Sequence, residues 1–541
     1  MPLWTKANYG GTGITSNIAS VPNSFKILSV LSTSHGGFMG LFFYLDVGRC
    51  TYVGRDADFS ICKGQRSEPE DMVIVPGVFQ KWEQPDPVTY LFTVRKGVLW
   101  PATPPMARTN REVTAEDIVF YLNVSRKEGI IRDTFTLVKD VQAVDRYTVK
   151  VTMLSPQADF ILGLSAQTGG IFSKECYDVK GCLDDVKSTS PGAWLVKEYI
   201  ARQKLVIEKN PEFFLKGLPY LDGITVLNIT DPAALKANFL VGKTEDGLSN
   251  LTLDEAEDLR KKNAEFQFQS ICGTGNVSTS GFRARIDVGP TADLRVRRAM
   301  AMVLDLPTMF EAAAPSNFSM PGTILSRHYF GDEFYMTIDQ MGENYQFNPV
   351  KAKQLLVEAG YPNGFPLALG LHINTGPTSQ EALYAQAQWK KYLNMDVKIT
   401  VFDTGAHALQ YQEGTWDGLW FQHNAWSLVV GGTAADDAIL SFTKGSATNV
   451  QHLNDAKIND LYIKQRGELD PAKRVKLLWD FEQYEMTQLY VIRVGCYCTL
   501  NVMQPWVMNG LMHGTSFGSG VGTGGTGIPT MFDPIKAPRS R

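Results

Sequence analysis

The chain has 541 residues, of which 44% are hydrophobic and 20% charged, so it is a globular protein too long for one core and is expected to form two to four lobes. Its 52 basic and 56 acidic side chains give a net charge of −4 without a long basic run, which excludes the electrostatic surface that nucleic-acid binding needs. No apolar run approaches the ~20 residues of a membrane-spanning helix.

The first part of the chain is predicted to be rich in strands. The N-terminal residues MPLWTKANYGGTG lack the apolar segment of a signal peptide, so the chain is either cytosolic or a mature form whose leader has been removed. The apolar run at 38–45 predicts a buried helix near 35–46. Residues 88–100 predict a hairpin of two strands joined by a Lys-Gly turn, and Thr114 with Asp117 forms a T-x-x-D capping box for the next helix.

From about residue 290 the pattern changes to alternating helices and strands. The clearest unit begins at Asn348, a suitable N-cap, followed by Pro349 at the first helical position. Apolar residues spaced i, i+3, i+4 and i+7 predict a helix there, and alternation predicts a strand over 366–374. A helix over 379–393 and a strand over 396–402 complete a βαβ unit, which predicts parallel pairing of the two strands.

The seven cysteines show neither a CxxC pair nor the spacing of a zinc site. Cys176 and Cys182 flank a short polar loop and can form a disulfide if the compartment is oxidising, as can Cys50 and Cys62. The odd count leaves at least one thiol free.

Three segments match catalytic or nucleotide-binding patterns without the required flanks. GTSFG at 514–518 has G-x-S-x-G spacing, but its flanks are glycine-rich and lack the strand and helix of a nucleophile elbow. GTGGTG at 522–527 is followed by Ile-Pro where a dinucleotide-binding helix would begin, and GKT at 242–244 lacks the first P-loop glycine. We therefore predict no catalytic residue.

The segment WDGLWFQHNAWS at 416–427 concentrates aromatic and polar side chains. Two interpretations remain open for it. Its alternate aromatic residues can belong to a strand and lie in the core. Alternatively, the segment forms the wall of a ligand cleft, with aromatic faces for contact and polar tips for orientation.

Several colinear segments have a familiar pattern, namely YLFTVRKGVLW followed by VTAEDIVFYLN, then SPGAWLVKEYIARQKLVIEKNPEFFLKGLPYLDGITV, TADLRVRRAMAMVLD and FNPVKAKQLLVEAGYPNGFPLAL. Together they resemble the extracellular solute-binding proteins of family 5, the peptide- and nickel-type receptors of ABC importers. The resemblance implies an α/β, periplasmic-binding-protein-like fold with two main lobes, an extra inserted lobe and a ligand cleft between lobes. Lobe I is expected to be discontinuous (1–55, 190–285 and 490–541), with lobe II inserted at 56–189 and lobe III at 286–489.

The same resemblance implies a periplasmic or otherwise extracellular receptor that captures an oligopeptide or another small organic solute by hinge closure and delivers it to the permease subunits of an ABC importer. We expect a monomer with no cofactor and no metal, associated with the membrane at most through a lipid anchor upstream of residue 1. The alternatives are a hydrolase using Ser516 and a peptide chaperone or signalling receptor on the same fold.

The expected ligand contacts come from two lobes. On lobe III they are Trp416, Trp420, His423, Asn424 and Trp426, with Asp436 or Asp437 available for a cationic group. On lobe I they are Thr274 and Asn276. Because alternate strand residues face opposite sides, the lobe III residues can share one cleft only if the chain leaves the strand near residue 421.

The ligand class depends on charges that the cleft would supply. Dipeptide-binding members of the family carry an arginine soon after the strand that corresponds to 366–374, whereas this chain has HINTGPT there. Burying an unpaired carboxylate in a dry cleft is costly. A neutral or cationic organic solute therefore fits this sequence as well as a peptide does.

Overall fold

The computed structural model describes most of the chain. The described residues are 12–17, 43–47, 72–101, 111–128, 135–165, 171–184, 190–201, 203–216, 221–229, 231–245, 248, 251, 253–272, 280–313, 323–325, 336–372, 379–402, 410, 414–422, 439–446, 449–495, 498–508 and 531–532.

Strands and helices are numbered here in chain order. The strands are β1 (Thr12–Asn17), β2 (Phe43–Val47), β3 (Met72–Pro76), β4 (Phe79–Asp86), β5 (Thr89–Val94), β6 (Val138–Asp145), β7 (Thr148–Met153), β8 (Trp194–Ile200), β9 (Lys204–Lys209), β10 (Gly223–Asn228), β11 (Gln267–Cys272), β12 (Ser280–Ala284), β13 (Pro366–His372), β14 (Asp396–Phe402), β15 (Leu419–Gln422), β16 (Val491–Gly495), β17 (Cys498–Met503), β18 (Val507–Met508) and β19 (Met531–Phe532). The α-helices are α1 (Ala115–Glu128), α2 (Phe160–Ser165), α3 (Lys174–Asp178), α4 (Pro232–Leu240), α5 (Leu253–Lys262), α6 (Leu294–Met302), α7 (Leu306–Ala313), α8 (Pro349–Glu358), α9 (Gln380–Leu393), α10 (Ala456–Gly467) and α11 (Pro471–Gln488).

The segments assigned to lobe I contain strands that pair although they are far apart in the chain. The four-stranded sheet of this lobe has the order β1-β10-β9-β8, with β1 parallel to β10, so the N-terminal segment joins the segment after residue 190. Strand β11 pairs antiparallel with β17, which adds a C-terminal segment to the same lobe.

Lobe II is built on an antiparallel sheet in the order β4-β5-β7-β6, with its own core. A two-residue turn at Arg146-Tyr147 joins β6 to β7. One half of the predicted capping box is present at the start of α1: the Asp117 carboxylate accepts the backbone N–H of Thr114 at 2.9 Å and the Thr114 hydroxyl at 3.2 Å. Cys176 and Cys182 lie in this lobe, and they form a disulfide with their Cα atoms 5.3 Å apart.

Lobe III contains a five-stranded sheet in the order β14-β13-β15-β12-β16 with helices on both faces. The predicted βαβ unit is confirmed: Asn348 caps α8 by accepting the N–H of Lys351 at 3.0 Å, and β13 and β14 pair in parallel. Helices α6, α8 and α9 cover one face, and α10 and α11 cover the other. Among the described residues, no helix combines the length and apolarity that crossing a membrane requires.

Two local predictions were wrong because long-range pairing decided the structure. Residues 43–46, part of the segment 35–46 assigned to a helix, belong to β2, which pairs antiparallel with β3. The hairpin at 88–100 was also misplaced. Strand β5 pairs with the preceding β4 and with β7, whereas Leu99 makes only a single bridge to Glu112.

The lobe boundaries remain a prediction, and the strand pairing argues for moving two of them. Ser280–Ala284 and Val491–Gly495 were assigned to lobe I, but as β12 and β16 they belong to the lobe III sheet. The chain therefore passes between lobes I and III within two segments, 273–279 and 496–497, which we call the crossings. Both segments lie outside the described residues.

A cluster of hydrogen bonds at the start of α10 predicts a loss of stability in acid. Burial alone would raise the pKa of Asp455, but bonds donated by Tyr490, Tyr484 and the backbone of α10 hold that pKa below its usual value. A depressed folded-state pKa gives stability that is present above the unfolded pKa, about 3.9, and is lost as the pH falls through the folded value. Asp455→Asn should flatten this acid limb of the stability curve, measured by urea unfolding between pH 3 and 7.

The control for this experiment is Asp460→Asn on the same helix, where the carboxylate is 54% exposed and pairs with Lys464. We expect that variant to keep the parent's acid limb. Equal pH profiles for Asp455→Asn and the parent would contradict the assignment.

Candidate functional site

The carboxyl ends of three parallel strands lie at one edge of the lobe III sheet. Along this edge His372 is in register with Phe402, and Leu371 with Phe421. Ligands of open α/β sheets bind outside the carboxyl ends of the strands, where the loops converge. This edge is therefore the place where the fold offers a binding site.

The connections to lobe I leave from the same edge. Ser280, the first residue of β12, is in register with Gly495, the last residue of β16. On the lobe I side, Cys272 is in register with Cys498. The described ends of both connections are therefore neighbours in each of the two sheets, which is the arrangement that a hinge between lobes I and III requires.

Most of the predicted ligand contacts belong to segments that begin at this edge. Strand β15 spans Leu419–Gln422, so the described strand ends close to the position at which the chain was expected to leave it. Seven of the predicted residues lie outside the described residues, so their role stays a prediction: His423, Asn424, Trp426, Asp436, Asp437, Thr274 and Asn276.

The other two predicted contacts, Trp416 and Trp420, lie inside lobe III. Trp420 is 0% exposed and Trp416 is 4% exposed. The Trp420 ring stacks on Phe402 with their centroids 5.1 Å apart, and it meets the Trp416 ring edge-on at 6.2 Å. The core interpretation describes this arrangement, and direct contact of either indole with a ligand remains a prediction.

A close approach fixes the position of the Trp420 ring. On the neighbouring strand Gly370 is in register with Trp420. A Cβ atom on Gly370 would lie 2.4 Å from Cε3 of the indole, so only glycine leaves room for the ring. Trp420 thus packs across β13 and supports the strand end from which residues 423–437 continue.

Arg285 anchors the segment before β15, and sequence reasoning missed it. Its Nη1 donates to the carbonyl oxygens of Gly414 at 2.6 Å and Trp416 at 2.7 Å. Its Nε and Nη2 donate to the Asp287 carboxylate at 2.7 and 2.8 Å, and these bonds lower the pKa of that carboxyl. The signal in the sequence was the alternation of Arg283 and Arg285 with apolar residues in a buried strand.

A second missed group is a buried charge cluster next to the crossing at 496–497. The Arg493 guanidinium bonds Glu482 at 2.8 Å and also binds Glu485, and all three side chains are 0% exposed. Burial raises the pKa of Glu482, although Arg493 opposes this effect. Because Glu482 also accepts the N–H of Leu325, the cluster links β16 to α11 and to the segment that contains Leu325.

Within the described ranges, no group of three or more His, Cys, Asp or Glu side chains could hold a metal ion. The described residues support the sheet at both edges: Arg285 holds the segment before β15 at the opposite edge, Trp420 packs across β13, and the Arg493 cluster holds β16 near the carboxyl edge. This arrangement suits a site that positions loops around a solute.

Comparison with known proteins agrees with this architecture. Residues 73–433 match the family described as "Bacterial extracellular solute-binding proteins, family 5 Middle". The periplasmic oligopeptide-binding protein OppA of Escherichia coli is 21% identical over 464 residues, which cover 80% of this chain and 81% of OppA. Heme-binding protein A of Haemophilus influenzae is 26% identical over 440 residues, covering 75% of each chain.

Among solved structures, the periplasmic binding protein DppA from Helicobacter pylori, in complex with peptide STSA, superposes with a TM-score of 0.75 at 18% identity. The alignment covers 95% of this chain and 98% of that one. At this level of identity the match establishes the fold.

Proposed function

The chain belongs to the bacterial extracellular solute-binding proteins of family 5, and from this premise we propose that it captures an oligopeptide or another organic solute at the carboxyl edge of the lobe III sheet. The observation that carries the proposal is the coincidence of that edge with both crossings to lobe I. A solute held there contacts both lobes at once, so binding favours closure.

The solute would be released unchanged to the permease subunits of an ABC importer. The aromatic and polar residues of 423–437 would provide affinity with little loss of rotamer entropy, and Asp436 or Asp437 would neutralise a cationic group. Relatives named for an oligopeptide and for heme are compatible with a broad solute class.

The test is a thermal-shift screen of purified protein against short peptides, heme and small cationic or neutral organic solutes. A solute at a hundred times its Kd should stabilise the folded state by about 2.7 kcal/mol. The screen is then repeated on Trp426→Ala and Asp437→Asn, with Asp460→Asn as the surface control. Parent-like binding by both site variants would contradict the site assignment.

The alternative function, a hydrolase, is tested by analysing the solute for reaction products. A solute that binds should be recovered intact after long incubation with the protein. Turnover that disappears in Ser516→Ala would overturn the proposal of capture without chemistry.

The export proposal rests on the family and on the disulfide. We expect an extracytoplasmic location, because disulfides persist in oxidising compartments. With 7 cysteines in the chain and 2 in the Cys176–Cys182 disulfide, thiol counting on the unfolded protein should find at most 7 − 2 = 5 free thiols without reductant and 7 with it. Seven free thiols in protein isolated from its native compartment would contradict an extracytoplasmic location.

A further inference from the structure

Lobe II contacts lobe I and lobe III through different chemistry. Towards lobe I the contact is apolar: the half-buried ring of Phe214, which follows β9, packs against the cores of both lobes. The Arg95 guanidinium of lobe II also lies over the Phe214 ring, 5.5 Å from its centroid. Separating these two lobes would expose apolar surface, so they are expected to move together.

Towards lobe III the contact is polar and centred on one ion pair. Arg474, in the first turn of α11, donates from Nη1 and Nη2 to the two carboxylate oxygens of Asp159, each at 2.5 Å. Beside this pair, the N–H of Ala158 donates to the carbonyl of Arg466 at 2.8 Å, and the Arg466 side chain donates to Thr136 at 3.0 Å. Lobe II residues thus meet the end of α10 and the start of α11.

Each charged group of the pair is also fixed by its own lobe. The Arg474 guanidinium also donates to Gln465 Oε1 at 3.0 and 3.2 Å, and Gln465 is 0% exposed. Asp159 is 5% exposed and directly precedes α2, whose first residue, Phe160, lies in the lobe II core. A bidentate pair between preorganised groups is stronger and more directional than a mobile surface pair.

We propose that Asp159 and Arg474 are positioning residues that hold lobe III against lobe II in the closed arrangement and so set solute affinity without touching the solute. The proposal rests on solute capture by hinge closure. Lobe II stays with lobe I through its apolar contact, so a rotation of lobe III about the crossings must break the ion pair. Water can solvate both ions once they separate, so this contact opens at a lower cost in free energy than an apolar contact would.

The first test needs no solute. Small-angle X-ray scattering of the solute-free protein should give a larger radius of gyration for Asp159→Asn and for Arg474→Gln than for the parent. The double variant should be no larger than either single variant, because the two substitutions remove one shared contact. Arg474→Lys, which keeps the charge but not the bidentate geometry, should be intermediate; circular dichroism confirms folding in each case.

The matched control is Arg111→Gln. Arg111 also makes a bidentate bond, at 2.7 and 2.8 Å to Asp117, but both residues belong to lobe II. Its loss should lower stability locally and leave the radius of gyration at the parent's value. A parent-like radius in both interlobe variants, or an equal increase in Arg111→Gln, would overturn the proposal.

The second test uses whichever solute the thermal-shift screen identifies. Its Kd should weaken about tenfold in Asp159→Asn and in Arg474→Gln, through faster dissociation, and stay unchanged in Arg111→Gln. An identified solute with a parent-like Kd and dissociation rate in both variants would overturn the role in affinity while leaving solute capture intact. If the screen finds no solute but the radii change as expected, the interlobe contact stands and the function proposal fails.

Discussion

Replacing Arg493 by alanine should lower the free energy of unfolding by about 3–5 kcal/mol, which is the effect of removing one partner from a buried ion pair. The reason is that Glu482 and Glu485 would remain buried without their cation, since all three side chains are 0% exposed. Urea unfolding, followed by circular dichroism, measures this change in the free energy of unfolding.

Two further variants separate the buried charge from other causes. Arg493→Met combined with Glu482→Gln and Glu485→Gln removes all three charges and keeps acceptors for the N–H groups of Leu325 and Val491, so it should recover most of the lost stability. Arg295→Ala removes an arginine that is 47% exposed and paired with Asp293, and it should cost less than about 1 kcal/mol. If Arg493→Ala were no worse than Arg295→Ala, the cluster would not be the structural support inferred here.

Trp420→Ala should cost about 3–5 kcal/mol, the usual range for removing a large aromatic side chain from a core. The indole is 0% exposed and packs against Phe402 and Gly370. In the parent, Gly370→Ala should also destabilise, by about 1–3 kcal/mol, because the new methyl group would overlap the ring. Thermal and urea unfolding of both single variants give the two values.

The double variant is the sharper measurement. Once Trp420 is alanine, the methyl group of Gly370→Ala has space, so the two costs should not add. Additive costs would mean that the ring does not occupy the space above Gly370. Trp420→Phe tests the remaining role: a preserved fold with a Kd at least tenfold weaker would indicate that the indole contributes to solute binding, by contact or through the strand end that it supports.

The candidate site was predictable only in part, and the residues show why. The segment 416–427 stands out in the sequence because it concentrates three tryptophans with a histidine and an asparagine. The sequence could not decide between core and cleft for Trp416 and Trp420, since periodicity places side chains on a face without saying what covers it. Arg285 was missed because its acceptors Gly414 and Trp416 lie 129 and 131 residues further along the chain. The partners of Arg493 lie only 8 and 11 residues before it, but the sequence does not show that all three side chains are buried.

By itself, the sequence determined the elements whose signals are local, together with the family. Asn348 and Pro349 start α8, and alternation sets β13, because caps and periodicity act between residues a few positions apart. Apart from the parallel pair β13 and β14, only the tertiary structure decided which strands pair, where the lobes join and which charges are buried. The pairing of β2 with β3, the transfer of β12 and β16 to the lobe III sheet, and the bond between Asp159 and Arg474 all depend on contacts between distant segments. The free energy of such contacts comes from burial and desolvation in the assembled fold, which no local pattern specifies.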